Sequence, residues 1–397
     1  MPANYTLTVT GSNSLLKGIH KASVTDGCVE LVFAKDRKAI RTASLAADRR
    51  SLSRSLDMTR EKIDLICSRL GINETELKYD RNPLSKSSKL TYKLLFLKKM
   101  LFETFIPTQW VIVYKQAHEN KWHKLIPDST LFQADPLLVF KDNKYYVFYE
   151  ELKFEDYRGY LCAAELDIEN NRLINQKVIL DLDYHLSFPN VFLENGTYYM
   201  IPESEENKSV DLFECTSFPY EWKKKKTLIE NIGAVDTTPL KTEDGWYLFT
   251  SEGEKPADYN DELFIYKSTD LLNSPFQKLY DEPVISDVKK ARMGGNFIQK
   301  NGEIIRVSQD CAKRYGHQVK LNKVIQIENG YVEEALETIS PTQGAIGMHT
   351  YNQDHDLIIA DMEIPRFDFY SLKRFVGSNL RRIFEIIIDT VIRNKDS

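Results

Sequence analysis

The chain lacks the features by which several common classes of protein are identified. Only 5 of its 397 residues are cysteines, and Cys28, Cys67, Cys162, Cys215 and Cys311 lie far apart. This spacing supports neither a disulfide framework nor a zinc site. The formal net charge is −5 at pH 7, and nucleic-acid binders instead present a strongly basic face. Nucleic acid is therefore not expected as a partner.

Other absences narrow the prediction further. The first residues lack the charged-then-apolar profile of a signal peptide, and the sequence contains no run of 18 apolar residues, the length needed to span a bilayer. We expect a cytoplasmic chain with reduced cysteines. There is no P-loop, no Rossmann glycine fingerprint and no nucleophile elbow. No group of His, Asp and Glu has metal-ligand spacing, so we predict neither a cofactor nor a metal.

What the chain does contain is a repeat. An Asp or Pro, a hydrophobic stretch, a turn of Asp, Asn or Gly, an aromatic pair and an acid recur at 134–151, 187–204 and 235–252, with weaker copies from Gly294 and Gly344. The period is roughly 45–55 residues and each unit holds two strand-like runs, as in the blades of a β-propeller. We predict a mainly β chain folded as a five-bladed β-propeller with a central funnel.

The flanks of the repeats differ from them. Residues 1–108 are predicted to form a small α/β appendage, with one helix whose apolar residues recur at helical spacing until Gly71 stops it. The propeller is expected over 109–370, and a C-terminal basic amphipathic helix over 371–397. The strand WVIVYK from Trp110 is expected to close the ring, because strands from both ends commonly hide the sheet edges of a propeller.

Two segments mix Leu, Ile and Phe with Lys and Arg, at 85–106 and 371–395. This composition is typical of helices that lie in a membrane interface. The alternative is that both helices pack on the propeller and their cations are solvated. Contact with the inner membrane surface therefore stays one of two interpretations.

Acidic residues recur at one position of the repeat. Counting back eleven residues from the second aromatic of each hairpin gives Asp135, Phe188 and Asp236, which we call the first station. Equivalent strand positions face the same side, so Asp135 and Asp236 are expected to face one cavity. Two acids there would repel and separate their pKa values, which suits acid/base catalysis. The alternative is that each Asp only caps the turn into its strand.

A second acidic station follows each aromatic strand. Glu203 and Glu252 are the predicted catalytic candidates, because the far end of a strand can feed a loop over the funnel. A residue repeated in every blade can equally be a determinant of the fold. The station comprises Glu150 with Glu151, Glu203, Glu252, and Gln309 with Asp310.

The fourth repeat is richest in polar donors, placed near a Gly-Gly pair that permits close backbone approach. Sugar hydroxyls and anionic groups need such donors, and Arg suits a carboxylate or phosphate. An ion-pair network between blades is the equally weighted alternative. His349 in the fifth repeat is interpreted as a substrate contact. The predicted substrate-binding residues are Arg292, Asn296, Arg306, Gln309, Asp310, Tyr315, His317 and His349.

The sequences of the repeats, above all SQDC followed by RYG in the fourth repeat, resemble the N-terminal domain of plant glucosamine inositolphosphorylceramide transferases over about Lys124 to Pro365. This family is distantly similar to the five-bladed propellers of arabinanases, invertases and levansucrases. The resemblance implies that Asp135 acts as base or nucleophile and that Asp236 orients or tunes. It leaves open whether Glu203 or Glu252 is the acid.

Two functions follow as expectations. The first is an enzyme that makes or breaks a glycosidic bond during assembly of a cell-surface polysaccharide or glycolipid, through Asp135, Asp236 and one glutamate. The second is a non-catalytic module that binds a glycan or nucleotide sugar and scaffolds such assembly. The second would keep the Arg and Tyr contacts and tolerate loss of the acids.

Overall fold

A computed structural model describes most of the chain, and its bulk is β-strand, as predicted. The two basic amphipathic segments predicted at 85–106 and 371–395 lie almost wholly outside the described residues. Among the helices that are described, none is long and apolar enough to cross a membrane. The described residues are 4–48, 51–82, 90, 91, 94, 107–253, 259–342, 344–368, 370 and 373.

The N-terminal unit, residues 4–82, has a sheet and a core of its own. The sheet order is β3-β2-β1-β4, with β1 antiparallel to β2 and parallel to β4. Leu31, Phe33 and Ile63 are buried in its core. Its elements are β1 (Tyr5–Val9), α1 (Leu15–Val24), β2 (Cys28–Lys35), β3 (Lys38–Ala46), α2 (Leu52–Leu70), a 3-10 turn (Glu74–Glu76) and β4 (Leu77–Lys78).

Helix α2 follows the predicted signals, whereas α1 was not predicted. The Ser51 hydroxyl accepts a hydrogen bond from the Arg54 N–H and caps α2, and Gly71 ends it in the left-handed conformation at φ 65°. Helix α1 contains Gly18, and glycine disfavours helix by about 1 kcal/mol. A Cβ on Gly18 would lie 2.2 Å from the Val9 carbonyl oxygen. Close packing of α1 on β1 therefore requires a glycine at position 18, and this glycine makes the helix hard to predict from the sequence.

The other strands of the described residues form five antiparallel sheets, which we number 1 to 5. Sheet 1 has the order β10-β9-β8-β7, sheet 2 β11-β12-β13-β14, sheet 3 β15-β16-β17-β18 with β19 beside β17, sheet 4 β20-β21-β22-β23, and sheet 5 β24-β25-β5-β6. A 3-10 turn at Glu205–Asn207 follows β12. The strands are β5 (Thr108–Gln116), β6 (His123–Leu125), β7 (Leu131–Lys141), β8 (Lys144–Lys153), β9 (Gly159–Asp167), β10 (Arg172–Leu180), β11 (Ser187–Glu194), β12 (Thr197–Glu203), β13 (Ser209–Ser217), β14 (Glu221–Glu230), β15 (Ala234–Thr242), β16 (Gly245–Glu252), β17 (Glu262–Ser268), β18 (Gln277–Lys278), β19 (Ile285–Ser286), β20 (Ile298–Lys300), β21 (Glu303–Asp310), β22 (Gln318–Gln326), β23 (Val332–Ile339), β24 (Tyr351–Asp354) and β25 (Leu357–Pro365).

Sheet 5 is built from both ends of the repeat region. Strand β5 pairs antiparallel with β25, with Trp110 opposite Glu363 and Val113 opposite Ala360. The strand that begins the region is thus hydrogen-bonded to the strand that ends it. This is the pairing predicted for the segment around Trp110.

The first hairpins of sheets 1, 2 and 3 share a backbone irregularity at the first station. Asp135, Phe188 and Asp236 adopt φ values of 51°, 44° and 50°. Each lies in a register shift between the first two strands of its sheet. A left-handed φ is uncommon outside glycine and strained for Phe. The same bend in three sheets turns the station residue out of the ladder at equivalent places.

The N-terminal unit contacts the loops of sheets 3 and 4. Lys62 Nζ of α2 lies 3.1 Å from Asp261 Oδ1, and Arg69 donates from both terminal guanidinium nitrogens to Glu262 at 2.8 Å. Cys28 packs in a small buried cluster with Val288, Cys311, Ala312 and Ala46. These contacts fix the segments that lead to Arg292 and Tyr315.

Candidate functional site

A cavity of about 190 Å³ lies where sheets 1, 2, 4 and 5 meet. Its wall combines acids, two histidines, an arginine and three aromatic rings. This mixture of apolar rings with a few converging polar groups is typical of small-molecule sites. The lining residues are Trp110, Phe132, Ala134, Asp135, Glu150, His185, Ser187, Glu203, Arg292, Tyr315 and His349.

Asp135 is held on both oxygens. Its Oδ1 lies 2.9 Å from His349 Nε2, and its Oδ2 accepts a hydrogen bond from the Phe188 N–H at 3.2 Å. The first station of sheet 2 thus contributes a backbone donor in place of an acid. Burial raises the pKa of Asp135, although the charge of His349 opposes the shift. The result is a carboxyl group of fixed orientation and raised basicity on the cavity wall.

Asp361 supports this arrangement from behind. Its carboxylate accepts hydrogen bonds from the backbone N–H groups of Asp135, His349 and Thr350 at 2.9, 3.0 and 3.0 Å. Burial works to raise the pKa of Asp361, but the charge of His349 and these N–H donors outweigh burial and lower it. Asp361 is therefore the ionised anchor of the group.

His349 lies between the two aspartates. Its Nδ1 is 3.0 Å from Asp361 Oδ1, and the Trp110 ring meets its ring edge-on at 4.2 Å between centroids. Burial lowers the pKa of His349, but attraction to Asp361 and Asp135 raises it well above its usual value. His349 is thus a buried cation at neutral pH.

The Asp135–His349–Asp361 group has the residue types of a metal site. One ligand atom from each residue lies within 4.8 Å of the others. The imidazole already contacts both carboxylates directly, at 2.9 and 3.0 Å. The row is therefore an ion-paired group whose imidazole already has two carboxylate partners, rather than an open set of metal ligands. That the protein uses no metal or cofactor stays a prediction.

Asp236 lies one step behind the cavity wall. Arg292 donates to both of its oxygens, from Nε at 2.6 Å and from Nη2 at 3.2 Å, and Gln309 Nε2 donates at 2.8 Å. Arg292 also reaches Glu203 Oε2 at 3.5 Å. The Tyr315 ring lies 5.1 Å from the guanidinium carbon of Arg292. Arg292 therefore joins the carboxyl of Asp236 to the cavity.

Glu203 has the electrostatics of a proton donor. Burial raises its pKa well above the usual value, and repulsion by Asp236 adds to the shift, while Arg292 opposes it. The sequence predicted a pair of acids with separated pKa values, and named Asp135 and Asp236. In the structure Asp236 is only a minor influence on the pKa of Asp135, whereas it is the strongest charge acting on Glu203.

The other predicted acid, Glu252, lies outside this cavity. It accepts hydrogen bonds from Tyr266 Oη and Lys278 Nζ, each at 2.9 Å. The register explains this. The residues opposite Ala134, Ser187 and Val235, which each precede a first station, are Glu150, Glu203 and Ser251. Glu252 is one position further along its strand, and successive side chains point to opposite faces.

Glu151 is the residue of sheet 1 that matches Glu252, and its contacts are similar. It accepts from Tyr160 Oη at 2.7 Å and from Gln133 Nε2 at 2.9 Å. Glu150 is the match of Glu203 and lines the cavity, 5% exposed. The sequence placed Glu150 in the second station but did not select it. Pairing each acid with the residue before the first station would have found it.

The polar residues of the fourth repeat divide between two roles. Arg292 and Tyr315 line the cavity and Gln309 contacts Asp236. Arg306 is fully buried in an ion pair with Glu333, Nε to Oε2 at 2.8 Å. Asp310 accepts from Gln318, while Asn296 and His317 donate from their backbone N–H groups to Asn352 and to the Asp310 carbonyl, so a ligand contact by the last two side chains stays a prediction.

The site and the repeats match a known family. The family described as glucosamine inositolphosphorylceramide transferase 1, N-terminal, matches residues 124–363. The chain belongs to this family. The resemblance stated from the sequence is thereby confirmed. The match covers sheets 1 to 4 and, in sheet 5, β24 and most of β6 and β25 but not β5, and it includes every cavity residue except Trp110.

Two plant relatives show how much of their length is shared. The chain is 28% identical over 224 residues to glucosamine inositolphosphorylceramide transferase 1 of Oryza sativa subsp. japonica, which covers 56% of this chain and 30% of the rice protein. It is 29% identical over 226 residues to the Arabidopsis thaliana protein of the same name, which covers 56% of this chain and 29% of that protein. The chain thus matches less than a third of the length of these relatives.

Solved structures similar to the chain include glycoside hydrolases. A family 117 glycoside hydrolase from Zobellia galactanivorans aligns with a TM-score of 0.45 and 12% identity, over 65% of this chain and 90% of that chain. The arabinanase Arb43A of Bacillus subtilis aligns with a TM-score of 0.41 and 13% identity, over 57% of this chain and 93% of that chain.

Proposed function

We propose that sheets 1 to 5 are the blades of a closed five-bladed propeller whose axis passes through the cavity. Contacts between successive sheets support this. Phe188 N–H bonds Asp135, Lys241 lies 2.6 Å from Glu194, and Arg292 bonds Asp236, which link sheets 1, 2, 3 and the segment leading into sheet 4. Asn296 bonds to Asn352, which links the segment leading into sheet 4 to sheet 5, and Asn352 bonds to the Pro136 carbonyl, which links sheet 5 to sheet 1.

We further propose that the cavity binds a sugar unit and acts on its glycosidic bond. The observation that carries this is the pair of unlike carboxyl groups on one wall, Asp135 and Glu203. Asp135 is oriented by His349 and has a raised basicity. Glu203 has a pKa raised by burial and by Asp236, so it can hold a proton near neutral pH. Paired carboxyls of this kind support attack at the anomeric carbon and protonation of the leaving oxygen.

The roles follow from the contacts. Asp135 attacks the anomeric carbon or activates the acceptor, and Glu203 protonates the leaving oxygen. Asp236 acts through Arg292 and by its charge on Glu203, so it is a positioning residue. His349 keeps Asp135 in place and balances its charge. The rings of Trp110, Phe132 and Tyr315 supply apolar faces for a sugar ring.

The relatives' name supports a carbohydrate substrate without fixing the reaction. The plant proteins are named as glucosamine inositolphosphorylceramide transferases, and the chain matches under a third of each. We therefore propose a glycan substrate from cell-surface polysaccharide or glycolipid assembly, with transfer or hydrolysis as the outcome. Cytoplasmic location and contact of the basic segments at 85–106 and 371–395 with the inner membrane surface belong to the same proposal.

The test is turnover on a panel of aryl glycosides and of matching alkyl glycosides. Aryl leaving groups need little protonation, so Glu203→Gln should reduce cleavage of alkyl glycosides far more than cleavage of aryl glycosides. Asp135→Asn should reduce both. Equal losses on the two substrate types in Glu203→Gln would contradict its role as the acid.

A binding module is the second candidate, and one observation favours it. Both oxygens of Asp135 are engaged by protein donors, His349 and the Phe188 N–H. Binding of the same saccharides by the wild type with no turnover, kept in Asp135→Asn, would support this alternative. A nucleotide sugar fits it less well, because the guanidinium of Arg292 is already engaged by Asp236, Glu203 and Asn260.

A further inference from the structure

Glu150 is the acid of the cavity that the proposed reaction does not use. It is 5% exposed, and its Oε1 is buried without a hydrogen-bond partner. A buried carboxyl oxygen without a partner costs free energy. Burial and the charge of Asp135 raise the pKa of Glu150 well above its usual value.

His185 lies beside Glu150 and its tautomer is set by the backbone. The Gly159 N–H donates to His185 Nδ1 at 3.0 Å. Burial lowers the pKa of His185, so the ring is neutral and carries its proton on Nε2. This Nε2 lies 3.4 Å from Glu150 Oε1, longer than a good N–H···O bond. A donor and an acceptor therefore stand side by side on the cavity wall.

Gly159 keeps the space for this pair. A Cβ at this position would lie 2.5 Å from Glu150 Oε1 and 2.8 Å from His185 Cε1. The Gly159 carbonyl in turn accepts a hydrogen bond from the Leu186 N–H at 3.0 Å, which holds the segment after His185. The strand start is thus shaped so that His185 and Glu150 can approach each other.

We propose that Glu150 and His185 form a hydroxyl-reading subsite, in which one ligand hydroxyl accepts from His185 Nε2–H and donates to Glu150 Oε1. This inference rests on the proposed function and deepens it, because it specifies a saccharide with a free hydroxyl next to the reacting bond. A hydroxyl is the group that donates and accepts at one oxygen. A deoxy sugar would leave both protein groups unpaired, which is how polar sites reject an analogue.

The first test needs no ligand. A residue kept for folding lowers the melting temperature when it is replaced, whereas a buried carboxyl with an unpaired oxygen, kept for a ligand, raises it. Glu150→Gln should raise the melting temperature of the whole chain by about 2–4 °C. Glu151→Gln is the matched control. The Glu151 side chain points to the opposite face of the strand, where it is hydrogen-bonded to Tyr160 and Gln133. This variant should leave the melting temperature unchanged or lower it.

The gain should also depend on pH. For a carboxyl whose pKa is raised in the folded state, stability falls as pH rises from the unfolded value through the folded one. The gain of Glu150→Gln over wild type should therefore be larger at pH 8 than at pH 5. A lower melting temperature in Glu150→Gln would overturn the proposal. The titratable groups that act on Glu150 or contact it are Asp135, His185, Glu203, His349 and Asp361.

The second test is ligand-observed NMR with methyl hexopyranosides and their monodeoxy analogues. The wild type should prefer one parent sugar over its monodeoxy analogue by about tenfold or more. Glu150→Gln and His185→Phe should lose most of this preference, and Glu151→Gln should keep it.

Each outcome has a separate meaning. Unchanged preference in both subsite variants, or no binding of any methyl glycoside by the wild type, would overturn the subsite. Full turnover by Asp135→Asn with the preference intact would instead overturn the proposed reaction and leave the subsite standing.

Discussion

The first stations of sheets 1 and 3 have the same backbone and different surroundings. Asp135 and Asp236 share a left-handed φ of 51° and 50° and a register shift in the same hairpin position. Asp135 faces the cavity beside a histidine, whereas Asp236 is covered by Arg292 and Gln309. A repeat thus fixes where an acid lies in its sheet, and the residues contributed by other sheets decide what that acid can do.

The largest expected effect is the loss of turnover on replacing Asp135, the first-station acid that faces the cavity. Asp135→Asn removes the negative charge from the cavity wall and should reduce turnover by about 10²–10⁴-fold. His349 keeps its contact with Asp361, so the melting temperature should change little. Turnover and thermal unfolding of the same preparation check this. Unimpaired turnover would show that Asp135 is not the reactive carboxylate.

Replacing Asp236, the first-station acid covered by Arg292 and Gln309, should lower the stability of the protein more than replacing Asp135 does. Asp236→Asn leaves the buried guanidinium of Arg292 without its main partner, and we expect the free energy of unfolding to fall by about 3–5 kcal/mol. Denaturant unfolding at neutral pH measures it. A loss no larger than that of Asp135→Asn would contradict the distinction between the two stations.

The pH dependence of turnover tests how the charge of Asp236 acts on Glu203. Glu203 must be protonated to act as an acid, and its pKa is raised by burial, then by Asp236, with Arg292 opposing. Turnover should therefore fall as pH rises through this raised pKa. In Glu203→Gln the remaining activity on aryl glycosides should lack this fall. In Asp236→Asn the fall should move to lower pH, because the repelling charge is gone.

The smallest effect is expected outside the cavity. Glu252→Gln should leave turnover unchanged and alter the free energy of unfolding by only about 0.2–1 kcal/mol, because it weakens a partly exposed ion pair with Lys278. Turnover on the same glycoside panel and denaturant unfolding check it. A loss of turnover comparable to that of Glu203→Gln would mean that the register argument is wrong.

The sequence predicted the elements that depend on local patterns. The helix that ends at Gly71, the pairing of the strand at Trp110 with the last strand of the repeats, and the common position of Asp135 and Asp236 all follow from spacing and turn residues. The family was also recognisable from its strings. These features depend on residues that are neighbours in the chain or in one hairpin.

What the sequence did not predict depends on side-chain direction and on distant residues. Glu203 and Glu252 look equivalent, but a displacement of one residue along a strand sends a side chain to the opposite face. Asp361 holds Asp135 through a backbone N–H from 226 positions away in the chain. Arg306 resembles a ligand-binding arginine until its partner Glu333 is known. Such partners become visible only when the sheets are placed together.

The most direct test of the account is a crystal structure of the Asp135→Asn variant with a saccharide bound from the panel that the wild type turns over. We expect the anomeric carbon within about 3–3.5 Å of the substituted side chain at position 135, the leaving oxygen beside Glu203, and no ligand atom touching Asp236. A saccharide bound against Asp236, or outside the cavity, would contradict the claim that two equivalent stations have different tasks.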